Sequence, residues 1–82
     1  MLTTERVKCA RALLKWSQTD LARESGVSIP SIKRIESQSG PLAAQERTVT
    51  AIRSALEANG IQFLEIGDIA DGAGVALKGE PI

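Results

Sequence analysis

Residues 17–36 read SQTDLARESGVSIPSIKRIE. Two short helical patterns flank a single glycine, Gly26, and the second carries a proline in its first turn. Ser17 precedes the first pattern and Asp20 follows three residues later, the spacing of a capping box. Leu21 and Ala22 form the inner face of that helix, which ends by Gly26. Ser28 caps the second pattern, and Pro30 falls in its first turn, where a missing N–H costs nothing. Ile32 and Ile35 give this second helix its inner face. A chain that breaks a helix and restarts it three residues later sets two helix axes at a steep angle.

Such a crossing makes specific demands. The first helix needs a small residue at the contact, here Ala22. The turn needs a residue that tolerates a left-handed backbone, here Gly26. The next residue must bury between the helices, here Val27. Leu21, Ile32 and Ile35 supply the remaining apolar contacts. Six positions of the right type at the right spacing make a helix-turn-helix, as opposed to a generic pair of antiparallel helices.

The stretch resembles the core of the phage-repressor and Cro-like helix-turn-helix regulators, the Xre family. Members typically read SQ-x-x-LA-x-x-x-GVS-x-x-x-I-x-x-x-E, and Ser17, Gln18, Leu21, Ala22, Gly26, Val27, Ser28, Ile32 and Glu36 match it. The resemblance runs upstream through ARALLKWSQ and downstream through a fourth helix, over roughly residues 4–59. It implies a transcriptional regulator whose second motif helix, here about residues 28–37, lies in the major groove of double-stranded DNA with its N-terminal residues against base edges. The matching positions are Ser28, Ile29, Pro30, Ser31, Lys33 and Arg34. Arg34 is the best candidate for base readout, because a guanidinium can pair bidentately with guanine O6 and N7. Ser31 suits a base or a phosphate, Ile29 a thymine methyl, and Lys33 a phosphate. Without the motif, Lys33 and Arg34 would read as a solvated helix face. Family members use the glutamine at the Gln18 position to hold a backbone phosphate, helped by the helix N-terminus. One departure matters. Many relatives carry several long polar side chains on this helix, whereas Ile29 and Pro30 donate nothing. Shape and phosphate contacts then carry more of the recognition.

Outward from the motif, a first helix is expected from about Thr4 to Lys15, capped by Thr3 or Thr4. Val7, Ala10, Arg11 and Leu14 recur at helical spacing, which puts one arginine on an apolar stripe. In the family an arginine here commonly pairs with the glutamate ending the recognition helix, so the resemblance implies a structural ion pair between Arg11 and Glu36. For Trp16, packing over the first two helices is a stronger reading than stacking on a sugar or base. Residues 37–41, SQSGP, form a loop by composition. The fourth helix is expected from about Gln45 to Asn59, with Val49, Ile52, Ala55 and Leu56 as its stripe and Gly60 left-handed at its end. The period then changes. Residues 61–66 and 75–78 read as two strands of an antiparallel hairpin joined by a glycine-rich connection.

The expected fold class is therefore mainly α: a four-helix, repressor-like helix-turn-helix domain over residues 1–60, then a short C-terminal β-hairpin over residues 61–82. An isolated hairpin is marginal in water. Ile61, Phe63, Leu64 and Ile66 would leave one face without cover, so the hairpin either packs on the fourth helix or joins that of a second copy. The second option is the one expected, which makes residues 61–82 a candidate dimerisation element and the protein a homodimer. The tail also resembles a bacterial subgroup in which a long fourth helix precedes a strand, a glycine-rich loop and a Gly-Val-x-Leu strand.

Composition supports this. With 82 residues the chain makes one small domain with one modest core. The formal charge is zero, but it is segregated: residues 1–53 carry nine Lys/Arg against five Asp/Glu, and residues 54–82 one Lys against five Asp/Glu. An N-terminal part that meets an anion and an acidic tail that does not is a fair reading, although scatter in a short chain would give the same numbers. No apolar run approaches a membrane span, the N-terminus lacks a secretory signal pattern, and a single cysteine suits the cytoplasm. With no histidine, Cys9 cannot join a Cys/His nucleophile or a zinc site, and it is expected as a small packing residue. Gly72-Ala73-Gly74 follows a strand but opens no helix with phosphate-loop spacing. Neither catalysis nor a cofactor or metal is expected. Two rival functions remain: an antitoxin-type DNA-binding protein that also grips a protein partner through the acidic tail, and a helical interaction module without DNA binding.

Overall fold

A computed structural model describes residues 2–64 and 74–77. Four helices come first: α1 (Thr4–Leu14), α2 (Gln18–Ser25), α3 (Ile29–Glu36) and α4 (Glu46–Ala58). Two strands follow, β1 (Ile61–Leu64) and β2 (Gly74–Leu77). They pair antiparallel, with Ile61 opposite Leu77 and Phe63 opposite Val75. Glu65, Ile66 and Lys78, expected in the strands, and the connection expected between them up to Ala73 lie outside the described residues.

The helix ends follow from local side chains. Thr3 caps α1 by accepting from the Arg6 N–H at 3.2 Å. Ser17 and Asp20 form the reciprocal capping box of α2, at 3.0 and 2.8 Å. The bond from the Ser17 amide first, then the Ser17 hydroxyl and Arg23, hold the Asp20 carboxyl below the usual carboxylate range. Gly26 closes α2 with a left-handed φ of 75° and donates to the Ala22 carbonyl at 2.9 Å. Ser28 accepts from the Ser31 N–H at 3.3 Å and starts α3, with Pro30 in its first turn. Gly60 has a positive φ of 101° just past α4.

One core joins all these elements. Val7 and Ala10 from α1, Leu21 and Ala22 from α2, Ile32 and Ile35 from α3, and Ile52 and Leu56 from α4 are buried together. Val27 and Val49 pack against this core but are only partly buried. Thr4 is buried, and its hydroxyl donates to the Ile35 carbonyl at 3.1 Å, which the Gln38 N–H also meets at the end of α3. Cys9 is exposed, so it is not the packing residue expected.

The hairpin differs from expectation. Ile61 is 1% exposed and Phe63 7%, both within this single chain. β1 lies against α4 and β2 against α1, so the chain's own helices cover the face that was expected to need a second copy. The Phe63 ring also sits 5.5 Å from the Arg6 guanidinium and 5.4 Å from that of Arg53. Arg6 donates in addition to the Leu64 carbonyl. Two flanking cations and a backbone bond hold the strand to the helices. The hairpin therefore completes the core of the helical domain.

Arg11 and Glu36 tie α1 to the end of α3. The guanidinium donates through Nε to Glu36 Oε2 at 2.8 Å and through Nη2 to Oε1 at 2.7 Å. Its Nη1 donates to the Trp16 carbonyl at 2.8 Å. The Glu36 side chain is 3% exposed and that of Arg11 19%. Burial pushes the Glu36 carboxyl up. Hydrogen bonds from Arg11 and Gln18, with the charges of Arg11 and Lys8, outweigh it and leave the group below its ordinary 4.5. The bond to Glu36 in turn raises the Arg11 pKa against the opposing effect of burial.

Three outcomes follow for stability. Arg11→Met strands a buried carboxylate and is expected to cost about 2–4 kcal/mol in urea denaturation, with the Arg11→Met, Glu36→Met double variant costing less than that single change. Because the folded Glu36 pKa is lowered, its contribution is complete above its ordinary value and is lost as pH falls through the folded value. The unfolded state binds more protons in that window. Urea midpoints measured below pH 5 should therefore fall less steeply in Glu36→Gln than in the parent. A chain ending at Gly60 loses Ile61 and Phe63 from the core, about 1.5–3 kcal/mol for each side chain. Its thermal transition should be strongly lowered or absent by circular dichroism.

Candidate nucleic-acid interface

α3 has two unlike sides. Ile32, Ile35 and Glu36 are buried on one. Ile29, Pro30, Lys33 and Arg34 are exposed on the other, with Ser28 exposed just before the first turn and Ser31 half-buried. The helix is only eight residues long, so its position depends on that buried side and on the Gly26 turn. Beyond the buried Glu36, α3 contains no acidic residue, and both its cations, Lys33 and Arg34, are exposed. An anionic polymer meets no opposing charge on this face.

Each predicted residue has a definite place. Ile29 is 37% exposed, one of only two large apolar side chains so exposed among the described residues, with Leu13. Ser28 Oγ both accepts the helix cap and donates to Ser31 Oγ at 2.9 Å. The Ser31 hydroxyl keeps its own proton for an outside acceptor. Lys33 makes no ion pair among the described residues, which suits a phosphate contact. Arg34 donates through Nη1 to the Ala43 carbonyl at 3.1 Å.

Gln18 is half-buried at the start of α2, and its Nε2 donates to Glu36 Oε1 at 3.1 Å. That bond leaves the amide one further N–H and its oxygen. Gln18 thus joins the Arg11–Glu36 pair to the N-terminus of α2. Trp16 is half-buried and packs against the core. Its carbonyl takes the third Arg11 bond, so the turn into α2 is tied to the same network.

Three features went unread from the sequence. The Ala43 carbonyl is a backbone group nine residues from Arg34. The Gln18 bond to Glu36 spans eighteen residues. Lys15 adopts a left-handed φ of 59° at the end of α1, where its N–H donates to Ala12 and the following Trp16 N–H to Arg11. Only the last had a local signal, in the short gap between Leu14 and the Ser17 cap.

None of the four helices is long and apolar enough to cross a membrane, among the described residues. A comparison with curated proteins finds no match. A comparison with protein-family models does find one. Residues 7–45 match the helix-turn-helix family, a span that takes in most of α1, all of α2 and α3, and the loop after them. The buried inner faces, the Gly26 turn and this match agree. Over residues 7–45, just under half of its length, the chain is similar to the helix-turn-helix family, a family of DNA-binding regulatory domains.

Proposed function

We propose that the protein is a sequence-specific transcriptional regulator that occupies operator DNA as a homodimer and acts as a repressor by occlusion. The observation that carries the reading is the two-sided character of α3. Its inner face is locked in the core while Ser28, Ile29, Pro30, Lys33 and Arg34 stand open at its N-terminal and outer side. A helix held in this way can enter the major groove without rearrangement.

Arg34 reads a guanine, Ile29 contacts a thymine methyl, and Ser31 donates to a base or phosphate. Lys33 and the remaining Gln18 N–H meet phosphates and set the register. One such module covers only a few base pairs. A two-fold dimer doubles the contact, with half-sites one helical turn apart, roughly 34 Å. Binding to the chromosome places the protein in the cytoplasm.

The test is selection of bound sequences from a random DNA pool at about 50 and 200 mM salt. A palindrome should be enriched, with affinity falling steeply as salt rises. Arg34→Ala is expected to weaken cognate binding by about 1–3 kcal/mol and random DNA little. Lys33→Ala should weaken both alike and reduce the salt slope by about 1. Enrichment of a single unpaired half-site would rule out the dimeric operator. Failure to bind DNA even at low salt would exclude the regulator and leave the protein-interaction module.

A further inference from the structure

Past the cap bonds of Ser37 and Gln38, the loop between α3 and α4 meets α3 again at a side chain of its exposed face. Arg34 Nη1 donates to the Ala43 carbonyl at 3.1 Å. That carbonyl sits at the end of a segment fixed to the start of α1. The Thr4 N–H donates to the Gly40 carbonyl at 2.9 Å and the Leu42 N–H to the Leu2 carbonyl at 3.3 Å. Thr3 and Pro41 form an antiparallel bridge. The Gly40 N–H donates to both Glu5 carboxylate oxygens, at 3.1 and 3.3 Å. Gly40 itself holds a φ of 83°, a conformation that side chains resist.

We propose that this loop is a specificity element: its Ala43 carbonyl positions the Arg34 guanidinium for base readout, and Glu5 is a positioning residue that holds the loop. The inference rests on the DNA-binding reading above. An exposed arginine samples many rotamers, and fixing it on binding reduces affinity. A guanidinium tethered through Nη1 has lost much of that freedom beforehand. Among the described residues, Nε and Nη2 carry no hydrogen bond, and their parallel N–H groups are the pair that suits guanine O6 and N7. The tether therefore leaves the reading edge open. Glu5 acts at a distance, by fixing where the carbonyl lies. A phosphate contact gains much less from this, because a phosphate accepts from many directions.

The test compares affinity for the selected operator with affinity for random DNA, at a temperature where circular dichroism shows each variant folded. Glu5→Ala is expected to lower the operator-to-random ratio about 3- to 10-fold, with random binding unchanged. Glu5→Gln keeps an acceptor for the Gly40 N–H and should restore the ratio. Gly40→Ala, which meets no atom within 4 Å but strains a positive φ, should act like Glu5→Ala. In an Arg34→Ala background, Glu5→Ala should leave the ratio unchanged, which a purely structural role would not produce. A ratio kept or raised in Glu5→Ala and Gly40→Ala, while Arg34→Ala abolishes it, overturns this inference alone. Equal losses on operator and random DNA also overturn it. A parent protein with no operator preference overturns the DNA-reading proposal along with it.

Discussion

The buried carboxylate of Glu36 sets the terms for the rest of the molecule. It ends α3, yet its side chain lies inside, so it must be matched by a cation and by donors. Arg11 supplies both in a two-pronged contact, which ties α1 to the end of α3. Gln18 adds a third donor from the start of α2. The same guanidinium holds the Trp16 carbonyl, which fixes the turn between α1 and α2. Three helices are thus referred to one charge pair. Apolar packing alone is non-directional and would tolerate small rotations of α3. A two-pronged ion pair tolerates far less, because its hydrogen bonds weaken steeply with angle.

This matters because α2 and α3 are both eight residues long. Helices of that length have little stability in isolation. They are held at their starts by Ser17, Asp20 and Ser28, and at the bend by a glycine that can take a positive φ. Their inner sides are held by Leu21, Ile32 and Ile35, all almost fully buried. The hairpin contributes Ile61 and Phe63 to the same core, packed against α1 and α4. Rigidity at α3 is therefore assembled from its cap, the turn before it and the core beneath it.

What the sequence disclosed divides along the same line. The four helices, the capping box at Ser17 and Asp20, the turn at Gly26 and the antiparallel strands were legible, because each depends on residues within a few positions of one another. The Arg11–Glu36 pair was legible only through the family resemblance, since an arginine on an apolar stripe says that a partner exists without saying which. The cover of Ile61 and Phe63 was misjudged. Alternation along a strand identifies an apolar face but not the surface that meets it. The cations Arg6 and Arg53 beside the Phe63 ring, which help to place that strand, carry no periodic signal. The Gln18 and Arg34 contacts were hidden for a related reason. Their partners are a side chain already assigned elsewhere and a loop carbonyl, and every residue has a carbonyl.

The exposed face of α3 concentrates its chemistry in few atoms. Ile29 and Pro30 contribute shape and apolar contact, and Lys33 a point charge without directional preference. Arg34 is the one exposed side chain there with two N–H groups in fixed parallel geometry. When discrimination rests on one long side chain, its orientation matters more than it would if several shared the task. The protein's formal charge of zero presses the same way. A strongly cationic domain gains affinity for any duplex, whereas a neutral chain with an acidic C-terminal part draws less from phosphates in general. Under the proposed function, preference for one site over the bulk of DNA comes from geometry at Arg34 and from the shape of the groove that accepts Ile29 and Pro30. A fixed α3, a tethered guanidinium and low overall charge therefore form a consistent set, each compensating, in that proposed role, for the small number of donors on the exposed face of α3.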